Sequence, residues 1–514
     1  MVKRAGGALL LAISLDHASP RPIRTQLYVA LRELMLSGRI AAKARLPASR
    51  ALARDLGVSR TTVIEAFERL AAEGLVESRV GAGTFVSEVL DAERPRQPSA
   101  QGTSPPARQP PRLSRAMDWA VSRFSDRPRL PHSPRAFVTG LPAFDSFPMA
   151  QWARLAAKHW RGGREDVMGY GAPCGYAPLR EAIAAHLRAN RGIACTGEQI
   201  FIVGGAQQAF NLVGTVLLNP GDQVWFENPG AIGARNSLLA CGAELVPVPV
   251  DRDGLQVEEG LRRAPRFRLV FVTPSHHQPL GHILSLERRF ALLRSAEQAG
   301  AWIVEDDYDG EFCFGRRPVA TLKSIDRTGL VIYVGTFSKS LFPALRLGFM
   351  LVPPSLVETM GRVSAAFVQG VPSSVQATVA EFIEEGHFAT HIRRMRRIYE
   401  ERHDALCDAA ARELGGLLAV ARAESGLHTI GYLPAHVSEV AAARAAEARG
   451  VIVSPLARFC IAPVAANGLV LGFGGIPPAE IRAGMAELGQ ALHGLLKPRA
   501  ASRRAAPANG MAIG

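Results

Sequence analysis

The sequence has few cysteines and no long apolar run. Only six of its 514 residues are cysteine, and no two of them form a CxxC pair. Their wide spacing gives neither a disulfide framework nor a zinc-ligand pattern, which is typical of a reducing compartment. No apolar stretch reaches the roughly 18 residues that a membrane-spanning helix needs. The composition therefore excludes a disulfide-stabilised secreted domain and a membrane span, and predicts a cytoplasmic protein.

The first 15 residues have some features of a signal peptide. Lys3 and Arg4 precede an apolar segment at residues 5–15, but no A-x-A cleavage site follows. A helical pattern begins soon afterwards. We therefore interpret this segment as part of the protein and not as an export signal.

An excess of one charge sign is missing from the centre of the chain. The formal net charge is +14, yet residues 136–496 hold 34 basic and 34 acidic side chains. The excess lies in residues 1–87, 88–135 and 497–514, which contribute +6, +4 and +4. A basic N-terminal region favours a polyanionic partner such as nucleic acid, and an arginine-rich composition without a target is the alternative.

Composition divides the chain into four regions. Residues 20–87 are compact with helical spacing, whereas residues 88–135 are rich in proline and arginine and poor in apolar side chains. Such a segment cannot bury enough surface to fold, so it is predicted to be an extended linker. Residues 136–496 form the large domain, and residues 497–514 are predicted to be a disordered basic tail.

The large domain alternates helical patterns with short apolar segments. This alternation predicts an α/β domain with a mostly parallel sheet and helices on both faces. The clearest strands are residues 199–203, 223–227, 269–273, 302–305 and 330–334.

Residues 46–74 carry a helix-turn-helix pattern. Ser49 is predicted to cap a first helix, which Gly57 ends, and Ser59 is predicted to cap a second helix. The apolar stripe of the second helix comprises Val63, Phe67 and Leu70. Two short helices joined by a tight glycine-containing turn form this motif. The second helix starts with Arg60, Thr61 and Thr62, whose donors suit phosphates and base edges in a major groove.

Residues 75–86 are typical of a wing, because two short strand patterns flank a glycine-containing turn. The module resembles the winged helix-turn-helix domain of the GntR family over residues 20–87. The matching pieces are Leu46-Pro-x-Ser-Arg, Leu-Gly-Val-Ser-Arg-x-Thr-Val, Ala-Glu-Gly-Leu-Val and Gly-x-Gly-Thr-Phe-Val. The resemblance implies contact with double-stranded promoter DNA through Arg50, Ser59, Arg60, Thr61, Thr62 and the wing around Gly83. A small helical interaction domain is the alternative.

Lys339 lies in a Ser/Thr-rich turn just after the apolar segment 330–334, and Arg346 follows seven residues later. An amine beside hydroxyls and a guanidinium suits an aldehyde cofactor that carries a phosphate. The amine condenses with the aldehyde while the hydroxyls and the guanidinium hold the phosphate. Most lysines are solvated surface groups, so this pattern alone is a weak signal.

Two further motifs support a cofactor site. Asp306 ends an apolar segment in a carboxylate run, and a buried Asp can pair with a protonated pyridine nitrogen. A surface acidic run or a divalent metal site are the alternatives, but no histidine partners Asp306 at ligand spacing, so no metal is predicted. Gly204 and Gly205 follow another strand and open a helix, whose N-terminal amides suit a phosphate.

Together and in this order, the three motifs resemble the aspartate-aminotransferase fold of pyridoxal-phosphate enzymes, which has a small C-terminal α+β subdomain. Joined to a GntR-like module through a long linker, they resemble the MocR family of bacterial transcription regulators over residues 20–490. The resemblance implies that Lys339 forms the aldimine with pyridoxal 5'-phosphate, that Asp306 pairs with the pyridine nitrogen and that Tyr308 bonds the phenolic oxygen. The residues implied to hold the phosphate are Thr336, Ser338, Arg346, Gly205, Ala206 and Gln207. Tyr170 is implied to reach the phosphate of the other subunit, which implies a homodimer with shared sites.

The sequence departs from this family at four positions, which are Ala231, Gln278, Val470 and Ala172. Ala231 replaces a ring that stacks on the pyridine, while Gln278 can still donate to the phenolic oxygen. Val470 replaces, by alignment, the arginine that clamps a substrate carboxylate in aminotransferases. An unpaired carboxylate in a closed site is costly, so we predict an effector that is not a standard α-amino acid, unless Arg235 or Arg458 supplies the clamp.

Two classes of function remain. In the first, the protein is a transcription regulator that senses an amine metabolite or the cofactor itself. In the second, it is an aminotransferase that carries a DNA-binding module. The wing, the recognition helix, the basic linker and the missing carboxylate clamp favour the regulator. The intact set of Lys339, Asp306 and Tyr308 allows transamination as a partial activity.

Overall fold

The computed structural model describes residues 13–79, 81–89, 113–126, 131, 133–161, 165–314, 320–368 and 370–496. The chain divides into two compact units, Met1–Pro111 and Arg112–Gly514, which we call the N-terminal unit and the C-terminal unit. The signal-like residues 1–12, the tail 497–514 and most of the predicted linker, including Arg94, Arg96 and Arg108, lie outside the described residues. No helix among the described residues is both long enough and apolar enough to cross a membrane.

The N-terminal unit packs three helices and a two-stranded ribbon. Its elements are α1 (Ile23–Leu36), α2 (Ser49–Leu56), α3 (Arg60–Ala72), β1 (Val76–Arg79) and β2 (Gly83–Val86). Leu27 and Leu31 of α1 are fully buried with Val63, Ala66 and Leu70 of α3, at the spacing that places side chains on one helix face. The antiparallel pairing of β1 and β2 forms the predicted wing.

The turn between α2 and α3 follows the predicted signals with one exception. Gly57 takes the left-handed conformation (φ 66°) that ends α2, and the Ser59 hydroxyl accepts from the Thr62 amide at 3.1 Å. The prediction that Ser49 caps α2 was wrong. Ala48, which follows Pro47, takes the cap position, and Ser49 is already the first helical residue. Its hydroxyl accepts instead from Arg60 Nε at 3.4 Å.

An eight-stranded sheet forms the centre of the C-terminal unit, in the order β3-β10-β9-β8-β7-β4-β5-β6. The strands are β3 (Ile200–Val203), β4 (Gln223–Asn228), β5 (Glu244–Asp251), β6 (Gly254–Leu255), β7 (Leu269–Val272), β8 (Trp302–Asp307), β9 (Val331–Thr336) and β10 (Gly348–Leu351). The run from β9 to β5 is parallel, as predicted, while β10 lies antiparallel to both β3 and β9. All five predicted strands are present within two residues of their predicted ends.

Helices cover this sheet, and a smaller sheet follows towards the C-terminus of the chain. They are α4 (Arg115–Val121), α5 (Met149–Trp160), α6 (Glu165–Met168), α7 (Ala177–Arg191), α8 (Ala206–Leu217), α9 (Ile232–Ala240), α10 (Val257–Arg263), α11 (Leu286–Ala299), α12 (Leu322–Ile325), α13 (Phe337–Ser340), α14 (Val357–Phe367), α15 (Ser373–Glu384), α16 (His387–Glu413), α17 (Glu439–Glu447) and α18 (Pro478–Leu496). The smaller sheet is antiparallel, in the order β11-β12-β14-β13. Its strands are β11 (Ala419–Val420), β12 (His428–Tyr432), β13 (Ser454–Pro455) and β14 (Gly468–Gly472). The α/β domain with a small α+β subdomain is therefore confirmed.

The C-terminal end of the predicted linker is ordered, unlike the extended segment that composition predicts. Ser114 caps α4 by accepting from the Met117 amide at 3.2 Å, and Ala120 is fully buried. Residues 113–126 contain no proline and carry several apolar side chains, so this part of the segment can pack where the proline-rich part has nothing to bury. α4 packs against α9.

Candidate functional site

Three predicted motifs meet at one edge of the central sheet. Asp306 is near the end of β8, Thr336 ends β9 three residues before Lys339, and Gly205 follows β3. β10 runs between β3 and β9 and pairs Gly348 with Val203 on one side and Thr336 on the other. Because the ends of neighbouring strands lie side by side, the sheet brings groups from distant parts of the sequence together.

The cradle predicted for the phosphate is built from two turns and a guanidinium. Gly205 has φ 108° and opens α8, whose first amides have no intrahelical partner. The Thr336 hydroxyl accepts from the Ser338 amide at 3.2 Å and lies 3.1 Å from the Ser338 hydroxyl. A Cβ atom on Gly205 would lie 3.7 Å from Arg346 Nη2, so the guanidinium is beside this turn. The donors thus come from three segments that the pairing of β10 with β3 and β9 brings together.

Close backbone contact fixes the spacing of the cradle. A Cβ atom on Gly348 would lie 3.0 Å from the Gly335 carbonyl oxygen and 3.1 Å from Gly205 Cα. Any side chain at this position would push the two turns apart. Ala206 and Gln207 follow Gly205 at the start of α8, where Ala206 is half-buried and Gln207 is exposed.

Lys339 is half-buried in α13, directly after β9. Its Nζ donates to the carbonyl oxygen of Gly140 at 2.6 Å. Gly140 has φ 81°, and a Cβ atom there would lie 2.8 Å from Lys339 Nζ. A residue with a side chain at 140 would therefore crowd the lysine, and the glycine leaves the amine room to reach the edge of the sheet.

Asp306 is the buried carboxylate of this edge. It is 6% exposed, and its Oδ1 has no hydrogen-bond partner among the described residues. Burial raises the pKa of Asp306 well above its ordinary value, and Asp307, Asp309 and Glu227 raise it further. A buried acceptor without a donor is costly, and a protonated ring nitrogen supplies the donor and the positive charge that this site lacks. The residues present therefore fit pyridoxal phosphate.

Tyr308 lies just beyond β8 and is held by a histidine that the sequence did not indicate. Its hydroxyl donates to the His276 carbonyl oxygen at 2.9 Å and lies 3.0 Å from His276 Nδ1. The same imidazole nitrogen lies 3.0 Å and 3.1 Å from the two Asp309 carboxylate oxygens. His276, Asp309 and His428 form a buried cluster whose possible metal-ligand atoms lie within 4.8 Å of one another. They come from three separate elements, so no spacing in the sequence could reveal the cluster.

Glu227 and His277 lie nearby, on the buried ends of neighbouring segments. The Glu227 carboxylate accepts from the Thr273 hydroxyl at 2.6 Å and from the Thr273 amide, and it lies 3.7 Å from His277 Nε2. Burial raises the pKa of Glu227 to about 8 and lowers the pKa of His277 to about 3. Both groups are therefore neutral around pH 6, which suits a site without compensating charges.

Two of the positions that depart from the family, Ala231 and Val470, are apolar and buried. Val470 on β14 is 1% exposed and forms a small cluster with Ile232 and Phe459. Ala231 is 3% exposed and packs in the core beside β4. Gln278 is half-buried, and its amide donates to the Thr273 hydroxyl at 3.1 Å. The place predicted for a carboxylate clamp is thus lined by hydrocarbon.

Arg235 and Arg458, the alternative candidates for the clamp, both donate to oxygens of the chain. Arg235 Nη1 donates to the Cys460 carbonyl oxygen at 2.9 Å, and its Nη2 donates to the Arg458 carbonyl oxygen and the Ser125 hydroxyl. Arg458 Nη2 donates to the Asp126 carbonyl oxygen at 2.7 Å. Both guanidinium groups bind neutral oxygens of the chain, and a clamp role for either of them stays a prediction.

Tyr170 does not join the other predicted residues within one chain. It is fully exposed, at 103% of its reference area, after α6. Trp160 and Met168, which are near it in sequence, are 65% and 71% exposed. Large apolar side chains in such a run are typical of an interface, because exposed apolar area is unfavourable in water.

The predicted DNA-contacting residues lie on the exposed surface of the N-terminal unit. Arg50 is the second residue of α2, and Arg60 and Thr61 start α3. These three side chains and Ser59 are exposed, whereas Thr62 is half-buried and its hydroxyl lies 2.9 Å from that of Ser59. Gly83 opens β2 with φ 109°, and Arg45 lies against it. The start of α3 thus presents cationic and hydroxyl donors, as a recognition helix does.

Comparison with known families gives two matches along the chain. The family described as aminotransferase class I and II matches residues 138–469, and bacterial regulatory proteins of the gntR family match residues 23–86. Among solved structures, the alpha-aminoadipate aminotransferase LysN from Thermus thermophilus, complexed with N-(5'-phosphopyridoxyl)-L-leucine, is similar with a TM-score of 0.66 and 29% identity. That similarity covers 74% of this chain and 95% of LysN.

Two relatives cover almost the whole chain. The probable rhizopine catabolism regulatory protein MocR of Rhizobium meliloti is 42% identical over 92% of this chain and 94% of its own length. The HTH-type pyridoxine biosynthesis transcriptional regulator PdxR of Corynebacterium glutamicum is 30% identical over 94% of this chain and 98% of its own. The resemblance seen in the sequence is therefore confirmed, and the chain belongs to the MocR family of GntR-type transcription regulators, in which a winged helix-turn-helix precedes an aminotransferase-like domain.

Proposed function

We propose that this regulator binds promoter DNA through its N-terminal unit and holds pyridoxal phosphate on Lys339 in its C-terminal unit. The observation that carries the cofactor assignment is the buried, unpartnered Asp306 Oδ1, on the same sheet edge as Lys339 and the glycine cradle. The cofactor, when bound, supplies an aldehyde that reacts with amines and a ring that withdraws electrons. The signal is occupancy of this site, either by the cofactor alone or by the cofactor after it has reacted with an amine metabolite.

Each residue of the site has a proposed task. Lys339 holds the cofactor covalently, Asp306 pairs with the ring nitrogen, and Tyr308 and Gln278 donate to the phenolic oxygen. The residues that we propose for the phosphate are Gly205, Ala206, Gln207, Thr336, Ser338 and Arg346. Tyr170 reaches the phosphate of a second copy, so the protein works as a homodimer in the cytoplasm. On DNA, Arg50, Ser59, Arg60, Thr61, Thr62 and the wing around Gly83 make the contacts.

The effector that we propose is an amine without an α-carboxylate. Val470, Ile232 and Phe459 are apolar, and the guanidinium groups of Arg235 and Arg458 are bound to other oxygens. A carboxylate placed there would lose its hydration without gaining a partner, which is strongly unfavourable. Spectra recorded with common amino acids, ω-amines, polyamines and amino-sulfonates test this proposal. Rapid and complete spectral conversion by ordinary α-amino acids contradicts it.

The cofactor assignment is tested by absorbance of the purified full-length protein. We expect a visible band from the lysine-bound cofactor that Lys339→Ala abolishes, because no other amine replaces that Nζ. Lys158→Ala is the matched control, since Lys158 is a surface lysine paired with Glu381. An unchanged band in Lys339→Ala contradicts the assignment. DNA binding by Lys339→Ala is expected to persist, because the DNA-contacting residues belong to the other unit.

An aminotransferase is the second candidate, favoured by the intact Lys339, Asp306 and Tyr308 set. Steady-state transamination across a panel of amino acids separates it from the regulator. We expect turnover that is slow or absent, together with salt-dependent, sequence-selective binding to DNA. Fast turnover without selective DNA binding would favour the enzyme.

A further inference from the structure

Arg235 joins three segments that are far apart in the sequence. It is 4% exposed on α9, and its guanidinium donates to Ser125, Arg458 and Cys460. In the part of the chain that the structure describes, burial lowers the pKa of Arg235 and no carboxylate is among the groups that raise it. A buried cation held only by neutral oxygens has lost hydration without full compensation. Loss of any of these hydrogen bonds would leave the buried cation still less compensated, so the position of Arg235 depends on all three segments together.

One of the three segments is the ordered end of the predicted linker. Besides the bond from Arg235, the Ser125 amide donates to Asn236 Oδ1 at 3.0 Å and the Ser125 carbonyl accepts from Asn236 Nδ2 at 2.9 Å. Arg458 adds its bond to the Asp126 carbonyl. Residues 113–126 are thus fastened to α9 and to the loop at residues 456–462. Towards the N-terminus, the chain leads from this segment to the DNA-contacting residues.

The same two elements lie at the end of β4, whose Glu227 is close enough to the site to raise the pKa of Asp306. We take Ile232 and Phe459 there as one wall of the candidate ligand site. α9 begins at Ile232, and the Gly230 amide donates to the Phe459 carbonyl oxygen at 3.0 Å. Ile232 and Phe459 contact Val470, at the position where aminotransferases carry their carboxylate clamp. Asn228, at the end of β4, accepts from the Ile461 amide at 2.7 Å. A ligand that moves Ile232 or Phe459 therefore moves the carbonyls that Arg235 binds.

We infer that Arg235 is a positioning residue that couples occupancy of the ligand site to the ordered end of the linker, residues 113–126. The inference rests on the proposed function, because it takes the cofactor site as the input. A ligand changes an equilibrium only through contacts that differ between two states, and the Ile232–Phe459 wall supplies such contacts. The fastening at Ser125 is the element with two states, held or released. Arg235 thus responds to displacement of Ile232 or Phe459 and holds residues 113–126 through its hydrogen bond to Ser125.

Hydrogen exchange of the full-length protein with and without pyridoxal phosphate tests the coupling directly. We expect the cofactor to change amide exchange across residues 113–126 by about fivefold or more, the lower end of usual allosteric coupling. Arg235→Ala and Ser125→Ala are expected to remove this change. Ser122→Ala is the matched control, because the Ser122 hydroxyl donates to the Trp119 carbonyl within the same segment and leaves the contact with α9 intact. Ser125→Ala keeps the arginine, so it distinguishes lost coupling from a folding defect in Arg235→Ala.

A second measurement follows the coupling to DNA. The operator is a duplex selected by the full-length protein from a random-sequence library. For each variant, we compare the dissociation constant for this duplex with and without pyridoxal phosphate. We expect the two constants to agree within twofold in Ser125→Ala, and their ratio in Ser122→Ala to equal that of the wild type.

The failures of the two proposals have different signatures. If the visible band forms but exchange across residues 113–126 is unchanged, the coupling is overturned and the cofactor assignment stands. If exchange changes equally in wild type and Ser125→Ala, the role of Arg235 is overturned. If no band forms at all, the proposed function itself fails, and the coupling loses its input.

Discussion

At the scale of single residues, Asp306 has opposite effects on two properties, the stability of the cofactor-free protein and its affinity for the cofactor. Its carboxylate is buried with an unpartnered oxygen, so its charge is unfavourable in the protein alone and favourable beside a cationic ring. We expect Asp306→Asn to raise the thermal midpoint without cofactor and to weaken cofactor binding by about 10- to 100-fold, as loss of a charged hydrogen bond does. Absorbance titration and thermal unfolding measure the two effects. A variant with unchanged affinity for pyridoxal phosphate would place the ring nitrogen elsewhere.

Glu227 gives the protein a pH-dependent stability. Its pKa is about 8 in the folded protein, well above its ordinary value, so the folded state binds more protons than the unfolded chain between pH 5 and 8. The free energy of unfolding therefore falls as the pH rises through this range. Glu227→Gln stays neutral and keeps an acceptor for Thr273, so we expect it to be more stable than wild type by a few kcal/mol at pH 9 and nearly equal at pH 5. Denaturant unfolding at both pH values measures this, and parallel pH profiles would contradict it.

Residue identities in the site were predictable where one segment carries the chemistry. Lys339 stands in a hydroxyl-rich turn, and Asp306 ends a strand, so short patterns indicated both. The pair of His276 and Asp309 has no such pattern, because its members follow different strands and meet only through the sheet. Arg235 shows how packing gives a side chain partners that its sequence context does not indicate. Its sequence context suggested a carboxylate clamp, but three neutral oxygens surround it once α9 and the loop at 456–462 pack together.

At the scale of elements, α3 carries the DNA prediction. Arg60 is exposed at the first position of α3 and, among the described residues, makes one long hydrogen bond to the Ser49 hydroxyl, so its guanidinium is available to a base pair. We expect Arg60→Ala to lose sequence-specific binding by about 1–3 kcal/mol, because a bidentate contact to guanine is removed. Arg60→Lys keeps the charge without the fork, so it is expected to retain non-specific affinity. Competition binding with specific and random duplexes measures both, and an unchanged operator preference in Arg60→Ala would mean that another element reads the bases.

The elements themselves were mostly predictable from local signals. Continuous apolar runs gave the buried parallel strands, and a left-handed glycine and a serine cap gave the turn between α2 and α3. β10 has no such signature, since its direction is set by β3 and β9 on either side. The sequence did not indicate α4, because the prolines before it dominate the composition of its region. Its burial depends on α9, which lies more than a hundred residues away in the sequence.

At the scale of the whole molecule, the exposure of Tyr170 leads to a prediction about the proposed homodimer, in which two subunits share their sites. It is fully exposed in one chain, so its hydroxyl is available to a neighbour. Mixing Tyr170→Ala with Lys339→Ala subunits restores both groups in one site of each mixed dimer. For random pairing in a twofold dimer, we expect about a quarter of all sites to regain tight cofactor binding. Absorbance at limiting pyridoxal phosphate measures the recovery, and the absence of recovery after subunit exchange would mean that each chain completes its own site.

The packing of Gly348 between Gly205 and Gly335 has a consequence for timing. Because backbone from three neighbouring segments closes the cradle, the part of the cradle that one chain supplies forms as the C-terminal unit folds. On the proposed function, we expect the cofactor to enter and leave a folded protein, with no refolding step between the empty and the loaded molecule. The same molecule can then respond repeatedly to the cofactor. Its occupancy rises and falls with the cofactor concentration during the lifetime of the protein, at a rate set by cofactor release and not by synthesis of new protein.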